Sequence, residues 1–189
     1  MWGQETLTPL EDFSKVTQIM SKLLEIGPGR GDFLFYLAEQ DPLSNIEAVE
    51  YKPKRFEKLA ARVEKRGLLN IQLHLGDARV VLPEKFTDEE FDTIFILFSD
   101  PWPKRRHAKH RLFQEPFVKE LRRILKPGGR IYVAHDDPRY VVQIREVFQS
   151  QMPDMILHEE GVEFTTFYAE KWKKEGRSLT SFSYEKVLG

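Results

Sequence analysis

Apolar positions fall in short runs that end in turn residues. Segments 22–26 (KLLEI), 45–50 (NIEAVE), 70–75 (NIQLHL), 91–98 (FDTIFILF) and 129–135 (GRIYVAH) have the length and composition of strands. Between them, 31–39, 53–66, 111–125 and 138–150 carry apolar residues at helical spacing and are long enough to cross over between parallel strands. This alternation predicts a doubly wound, mostly parallel α/β sheet, whose ligands bind in the crevice beyond the carboxyl ends of its strands. Segments 154–159 (DMILHE) and 179–187 (LTSFSYEKV) predict two more strands, the second alternating, which suits an antiparallel edge pair. Upstream, Thr8-Pro9-Leu10-Glu11 supplies an N-cap, a proline at the first helical position and a capping-box glutamate, so a lead-in helix is expected within 1–21. No repeat or linker interrupts the plan, and 1–189 reads as a single domain.

Composition narrows the chemistry. With 41% apolar and 12% aromatic residues, the 189-residue chain can bury a sizeable core. Cysteine is absent, which removes disulfides and thiolate metal sites, and no His or acid cluster has metal-ligand spacing, so no metal is expected. No apolar run approaches the roughly 18 residues needed to span a bilayer, and no basic-then-apolar start is present, so a cytoplasmic protein with no membrane partner is expected. Net charge is -1, but it is unevenly placed. Between Asp100 and Glu115 stand five Lys or Arg, two His and no acid. Positive charge is therefore concentrated in one loop, where Pro101 and Pro103 exclude a helix interior or a central strand.

The first predicted strand ends in Glu25-Ile26-Gly27-Pro28-Gly29-Arg30-Gly31-Asp32, a glycine-rich turn that lets backbone approach a ligand at a helix N-terminus. A dinucleotide fingerprint needs its third glycine at position 32, where this chain has Asp32, and no Walker lysine is present. Glu50 closes the second strand 19 residues after Gly31, a distance suited to an acid that accepts from ribose hydroxyls. Gly76-Asp77-Ala78 closes the third. This set resembles the first motifs of class I S-adenosylmethionine-dependent methyltransferases, whose cofactor carries an amino acid and a sulfonium cation. Acids are electrostatically sensible around such a group, whereas they would repel a triphosphate.

The fourth strand delivers Ser99-Asp100-Pro101-Trp102-Pro103, followed by Lys104-Arg105-Arg106-His107-Ala108-Lys109-His110-Arg111. This loop, with Leu125-Lys126-Pro127-Gly128-Gly129 before strand five, is similar to the signature of bacterial-type tRNA (guanine-N(7)-)-methyltransferases. The resemblance runs from about Leu23 to about Tyr184. It implies a seven-stranded Rossmann-like methyltransferase sheet with an antiparallel edge strand, S-adenosyl-L-methionine as cofactor, and methylation of N(7) of guanosine 46 in the tRNA variable loop. It assigns Asp100 the catalytic role, Glu25, Gly27, Gly29, Gly31, Glu50, Asp77 and Ala78 the cofactor, and Lys104, Asp136, Thr166 and Tyr168 the substrate. Arg105, Arg106, His107, Lys109 and Arg111 are the residues available to meet an RNA backbone, and Trp102 offers a stacking face.

The chain departs from the family pattern in three places. His135 stands where a threonine usually precedes Asp136, Ala169 replaces the glutamate of a Thr-x-Tyr-Glu motif, and only 26 residues precede Gly27. Phe33, Phe35, Phe95 and Phe98 read as core. A small-molecule methyltransferase would share the cofactor pocket without needing the basic loop, and a non-catalytic RNA-binding subunit would have no need of four aligned acids.

Overall fold

The computed structural model describes residues 20–159, 164 and 166–188, so the lead-in helix expected before Met20 lies outside the described residues. Strands β1 (Lys22–Ile26), β2 (Asn45–Glu50), β3 (Ile71–Leu75), β4 (Phe91–Leu97), β5 (Leu125–His135), β6 (Met155–His158) and β7 (Thr180–Lys186) form one seven-stranded sheet. Their order is β3-β2-β1-β4-β5-β7-β6. The first five strands pair in parallel, while β7 runs antiparallel between β5 and the terminal strand β6. Six α-helices are described: α1 (Asp32–Gln40), α2 (Pro53–Arg66), α3 (Ala78–Lys85), α4 (Glu115–Ile124), α5 (Pro138–Gln151) and α6 (Phe167–Lys174).

The sheet is covered on both faces, which is why its central strands read as apolar runs instead of alternating patterns. In β4, Ile94 and Ile96 join the core under α3, α4 and α5, with Leu82, Leu121, Ile144 and Phe148. Phe95 and Leu97, pointing the other way, join Phe33, Leu34 and Phe35 of α1 and Leu59 of α2. Phe33, Phe35 and Phe95 are core as expected, but Phe98 is only half-buried, with φ +57°.

Three local differences from the sequence reading have physical causes. Helix α3 lies between β3 and β4, where no helix was expected; Pro83 sits inside it and reads as a breaker. The helix expected over 111–125 starts at Glu115, with Pro116 in its first turn, where its missing N–H is harmless. Before it, Arg105–His110 forms a 3-10 helix, so the basic run has regular structure.

Strand order reverses beside β1: the chain winds outward through β2 and β3, then returns to place β4 on the other side. The crevice at the carboxyl ends of β1 and β4 is therefore the topological switch point; Glu25 and Glu50 stand in the last residues of β1 and β2, Asp77, Asp100 and Asp136 just after β3, β4 and β5, and Thr166 and Tyr168 at the start of α6.

Candidate active site

At the end of β1 the three glycines take left-handed backbone conformations, with φ +76° at Gly27, +59° at Gly29 and +80° at Gly31. A Cβ at Gly31 would lie 2.5 Å from Leu59 and 2.8 Å from the Phe35 ring, so the loop is pressed onto α1 and α2. At Gly27 a Cβ would meet nothing within 4 Å, which leaves that side of the loop open to a ligand. Gly31 then caps α1, whose first residue is Asp32.

Two acids support this loop from beneath. Glu50 is 3% exposed; its Oε2 accepts from the Gly29 N–H at 3.2 Å and its Oε1 from the Lys52 N–H at 2.8 Å. Glu25, equally buried, has an Oε2 with no hydrogen-bond partner among the described residues. Burial, followed by the charges of Asp32 and Glu50, pushes the Glu25 carboxyl up to about 8. A buried, unpaired acceptor beside an open glycine loop is a place for a cationic group. Asp77 caps α3: its Oδ1 accepts from the Arg79 N–H at 3.0 Å, and the Arg79 guanidinium holds its carboxyl below the usual range. Ala78, next to it, is buried.

The loop after β4 is built differently. Asp100 is exposed, and its Oδ1 accepts from the Trp102 N–H at 3.3 Å in a tight turn. Phe98 and Trp102, two bulky residues on either side of it, both lie at positive φ, +57° and +43°. Such backbone costs about 1–2 kcal/mol per residue and persists only where neighbours impose it. Arg111 does so. Its Nε donates to the Pro101 carbonyl at 2.8 Å, its Nη2 to the Trp102 carbonyl at 3.4 Å, and its Nη1 to Gln143. Arg111 was expected among the residues meeting RNA phosphates. The structure turns it inward instead, with its guanidinium occupied by the loop it braces. Trp102 packs against His107 and His110, with ring centroids 5.6 and 5.3 Å away, while Lys104, Arg106 and Lys109 are exposed.

His135, a departure from the family pattern, joins the two strand ends. Its buried ring accepts the Asp137 N–H at Nδ1, 2.9 Å, and so carries its proton on Nε2, which donates to the Ser99 carbonyl at 2.7 Å. Burial lowers its pKa, which keeps this neutral tautomer in place. The residue after Ser99 is Asp100 and the residue before Asp137 is Asp136, so one imidazole ties together the backbones that carry both acids.

Helix α6, absent from the sequence reading, closes over the crevice. Thr166, expected at the substrate, is its N-cap, with Oγ1 accepting from the Ala169 N–H at 2.9 Å. Tyr168 places its ring edge 3.9 Å from where a Gly29 Cβ would be, and its hydroxyl accepts from Arg55 at 3.4 Å. It therefore borders the glycine loop, with its ring centroid 5.2 Å from that of Trp172. Thr-x-x-Glu is a capping-box pattern, and Ala169 removes its reciprocal half. The Thr166 N–H is satisfied instead by the Phe164 carbonyl at 3.1 Å, and Ala169 itself is buried at 1% exposure, so a glutamate there would need new space. Farther along, Trp172 packs against Phe98 at 5.0 Å, and Arg177 donates to Asp136 at 2.7 Å.

A seven-stranded sheet in this order, with its one antiparallel strand next to the last and an acid-backed glycine loop after β1, defines a protein of the class I methyltransferase fold. A solved SAM-dependent methyltransferase from Aquifex aeolicus superposes on it with a TM-score of 0.65 over 96% of this chain and 91% of that one, at 16% identity. The chain belongs to the family described as "Putative methyltransferase", whose sequence profile matches residues 20–182. Among its relatives, a tRNA (guanine-N(7)-)-methyltransferase from Nitrosomonas eutropha is 41% identical over 130 residues, covering 69% of this chain and 58% of that protein. Another of the same name, from Chlamydia felis, is 30% identical over 169 residues, covering 87% and 75%. The matched part thus spans under two thirds of the Nitrosomonas protein's length. No helix among the described residues is long and apolar enough to cross a membrane.

Proposed function

We propose that this chain transfers a methyl group from S-adenosyl-L-methionine to N(7) of a guanine in tRNA, at guanosine 46 of the variable loop, as one catalytic domain working in the cytoplasm. The observation that carries the reading is the pairing of two unlike sites at one crevice: an acid-lined glycine loop at the end of β1 and β2, and an exposed acid at the base of a basic loop at the end of β4. The names of the relatives support the same substrate.

The residues fit this cofactor. Glu25 offers a buried, unpartnered carboxyl oxygen to a cationic ligand, and Gly27 leaves backbone open to it. Glu25, Gly27, Gly29, Gly31, Glu50, Asp77 and Ala78 would hold it, with acids in place of the phosphate-binding groups of a nucleotide site. When bound, S-adenosyl-L-methionine supplies an electrophilic methyl on a positively charged sulfur. N(7) of guanine has an in-plane lone pair and no proton, so the enzyme needs no general base there. Its residues must orient the base, which removes up to about 7–11 kcal/mol of entropic barrier in well-aligned reactions. Positive charge develops on the purine as the new bond forms, and Asp100, fixed by its own turn and by the Arg111 brace, is the group available to stabilise it. Lys104, Arg105, Arg106, His107 and Lys109 lie on the adjoining loop and 3-10 helix, where phosphates of the tRNA would pass, and Asp136 holds the guanine from the neighbouring strand end.

Incubating the chain with methyl-labelled cofactor and unmodified tRNA, then digesting to nucleosides, tests this directly. Label in 7-methylguanosine is the expected outcome, and mapping within the tRNA checks the position. Label in another nucleoside, or none, would refute the assignment. Asp100 as a stabilising group predicts single-turnover transfer with no strong solvent deuterium effect linked to its ionisation.

A further inference from the structure

The contact between Asp136 and Arg177 has a chemical meaning beyond an ion pair. Helix α6 ends in a glycine turn: Gly176, at φ +71°, donates its N–H to the Lys173 carbonyl at 3.0 Å, and Arg177 donates its N–H to the Trp172 carbonyl at 2.9 Å. That reversal brings the Arg177 side chain back over its own helix. Its guanidinium carbon lies 5.6 Å from the Trp172 ring centroid, and its Nη1 is 2.7 Å from Oδ2 of Asp136, whose side chain is only 9% exposed. A planar guanidinium therefore sits between a sheltered carboxylate and an aromatic face.

The Watson–Crick edge of guanine is itself a cyclic guanidine, presenting N1–H and N2–H side by side. Among the four RNA bases only guanine presents such a pair of donors, and a carboxylate accepts both. Aromatic side chains take the face of an unstacked base. Asp136 and Trp172 thus offer the two contacts that guanine recognition requires, and a guanidine already fills them. Placement agrees. β4 and β5 are paired neighbours, with Leu97 opposite Ala134, and neighbouring strands lie about 4.8 Å apart, the scale of a purine ring. A guanine whose Watson–Crick edge meets Asp136 at the end of β5 keeps its adjoining Hoogsteen edge, with N(7), free to face the neighbouring end of β4, which carries Asp100.

We infer that Trp172 is the stacking face for the target guanine and that Arg177 is its internal stand-in, occupying the guanine's place on Asp136 until the base displaces it. Arg177 has somewhere to go. Its Nε already lies 3.2 Å from Oε2 of Glu175, so it keeps an acidic partner on leaving Asp136, and its side chain is 49% exposed. This inference rests on the proposed guanine substrate, and it adds a residue that works against binding until substrate arrives.

Two measurements test it separately from that substrate assignment. In steady-state methylation, Arg177→Ala should lower the KM for tRNA about two- to fivefold, the scale of an ion pair with one solvent-exposed partner, with kcat within twofold. Asp136→Asn should raise KM and abolish the preference for guanosine over inosine, which lacks the N2 amino group, at the target position. A raised or unchanged KM in Arg177→Ala would overturn the stand-in role. The second measurement needs no activity: in Arg177→Ala, millimolar methylguanidine should shift the Trp172 indole N–H resonance saturably, and Arg177→Ala combined with Asp136→Asn should abolish the shift. No shift in the single variant overturns the inference. Absence of methylation by the unaltered chain would sink the proposed function, and the methylguanidine titration alone would then decide this point.

Discussion

The two ends of the crevice are organised by different means. Beneath the glycine loop, Glu50 is locked by two backbone N–H groups and Glu25 is buried with its Oε2 unpartnered among the described residues. Across the switch point, Asp100 is exposed, its loop is held in strained backbone by Arg111, and Asp136 is covered by an arginine that has a second acid within reach. The first end is preorganised by main chain and burial, which suits a small ligand of constant shape. The second is assembled from side chains, and under the proposed function the exchange of Arg177 between Asp136 and Glu175 would suit a base that must leave a folded RNA to be reached.

The sharpest break in this comparison is Asp100→Ala. Methyl transfer should fall about 10²- to 10³-fold, the usual loss on removing one charge-stabilising group, while circular dichroism remains unchanged; a loss under tenfold would show that the substrate end does not depend on its acid. At the cofactor end the cost should appear in stability. Gly31→Ala meets Leu59 and Phe35 and a left-handed backbone, so urea denaturation should show a loss of about 1–3 kcal/mol, against a smaller loss for Gly27→Ala, where only the backbone is strained.

Glu25 gives a pH signature. In the folded chain it keeps its proton to about pH 8, against an ordinary value of 4.5. The folded state therefore binds more protons across that window, and stability should fall as pH rises from about 4.5 to about 8, by at most about 1.4 kcal/mol per pH unit. Urea titrations of Glu25→Gln should lack that slope; an unchanged profile would mean the carboxyl ionises freely. The smallest effects separate the basic residues. Replacing Arg106 and Lys109 should each reduce the slope of log affinity for tRNA against log salt by about one, whereas Arg111→Ala should leave the slope intact and lower kcat through its loop.

Where the sequence was legible, one short-range rule was enough. The central strands are apolar because both faces are covered, and Glu25, the three glycines, Glu50 and Asp77 lie at or just past the carboxyl ends of β1, β2 and β3, where short apolar runs give way to turn residues. Helix α3 was hidden by Pro83. Helix α6 left signs in Thr166 as N-cap, three lysines in the last turn and Gly176 after it, but Ala169 broke the capping box that would have announced its start. Arg111 looked like its basic neighbours, because nothing local distinguishes a guanidinium that turns inward. His135 and Arg177 were illegible for a deeper reason: each acts on residues 36 and 41 positions away, and only the pairing of β4, β5 and α6 brings them together.

Strand β7 carries a consequence for how the chain is made. β6 pairs with β7 and with no other strand of the sheet, and β7 is the last strand described. During synthesis, β1 to β5 can assemble as each crossover emerges, but β6 has nowhere to dock until some twenty further residues have appeared. Until then the edge of β5 from Arg130 to His135 is an open ladder, available to another nascent chain. Assembly of the described strands is therefore out of sequence order: β7 docks on β5, brings β6 with it, and closes the edge that ends beside Asp136.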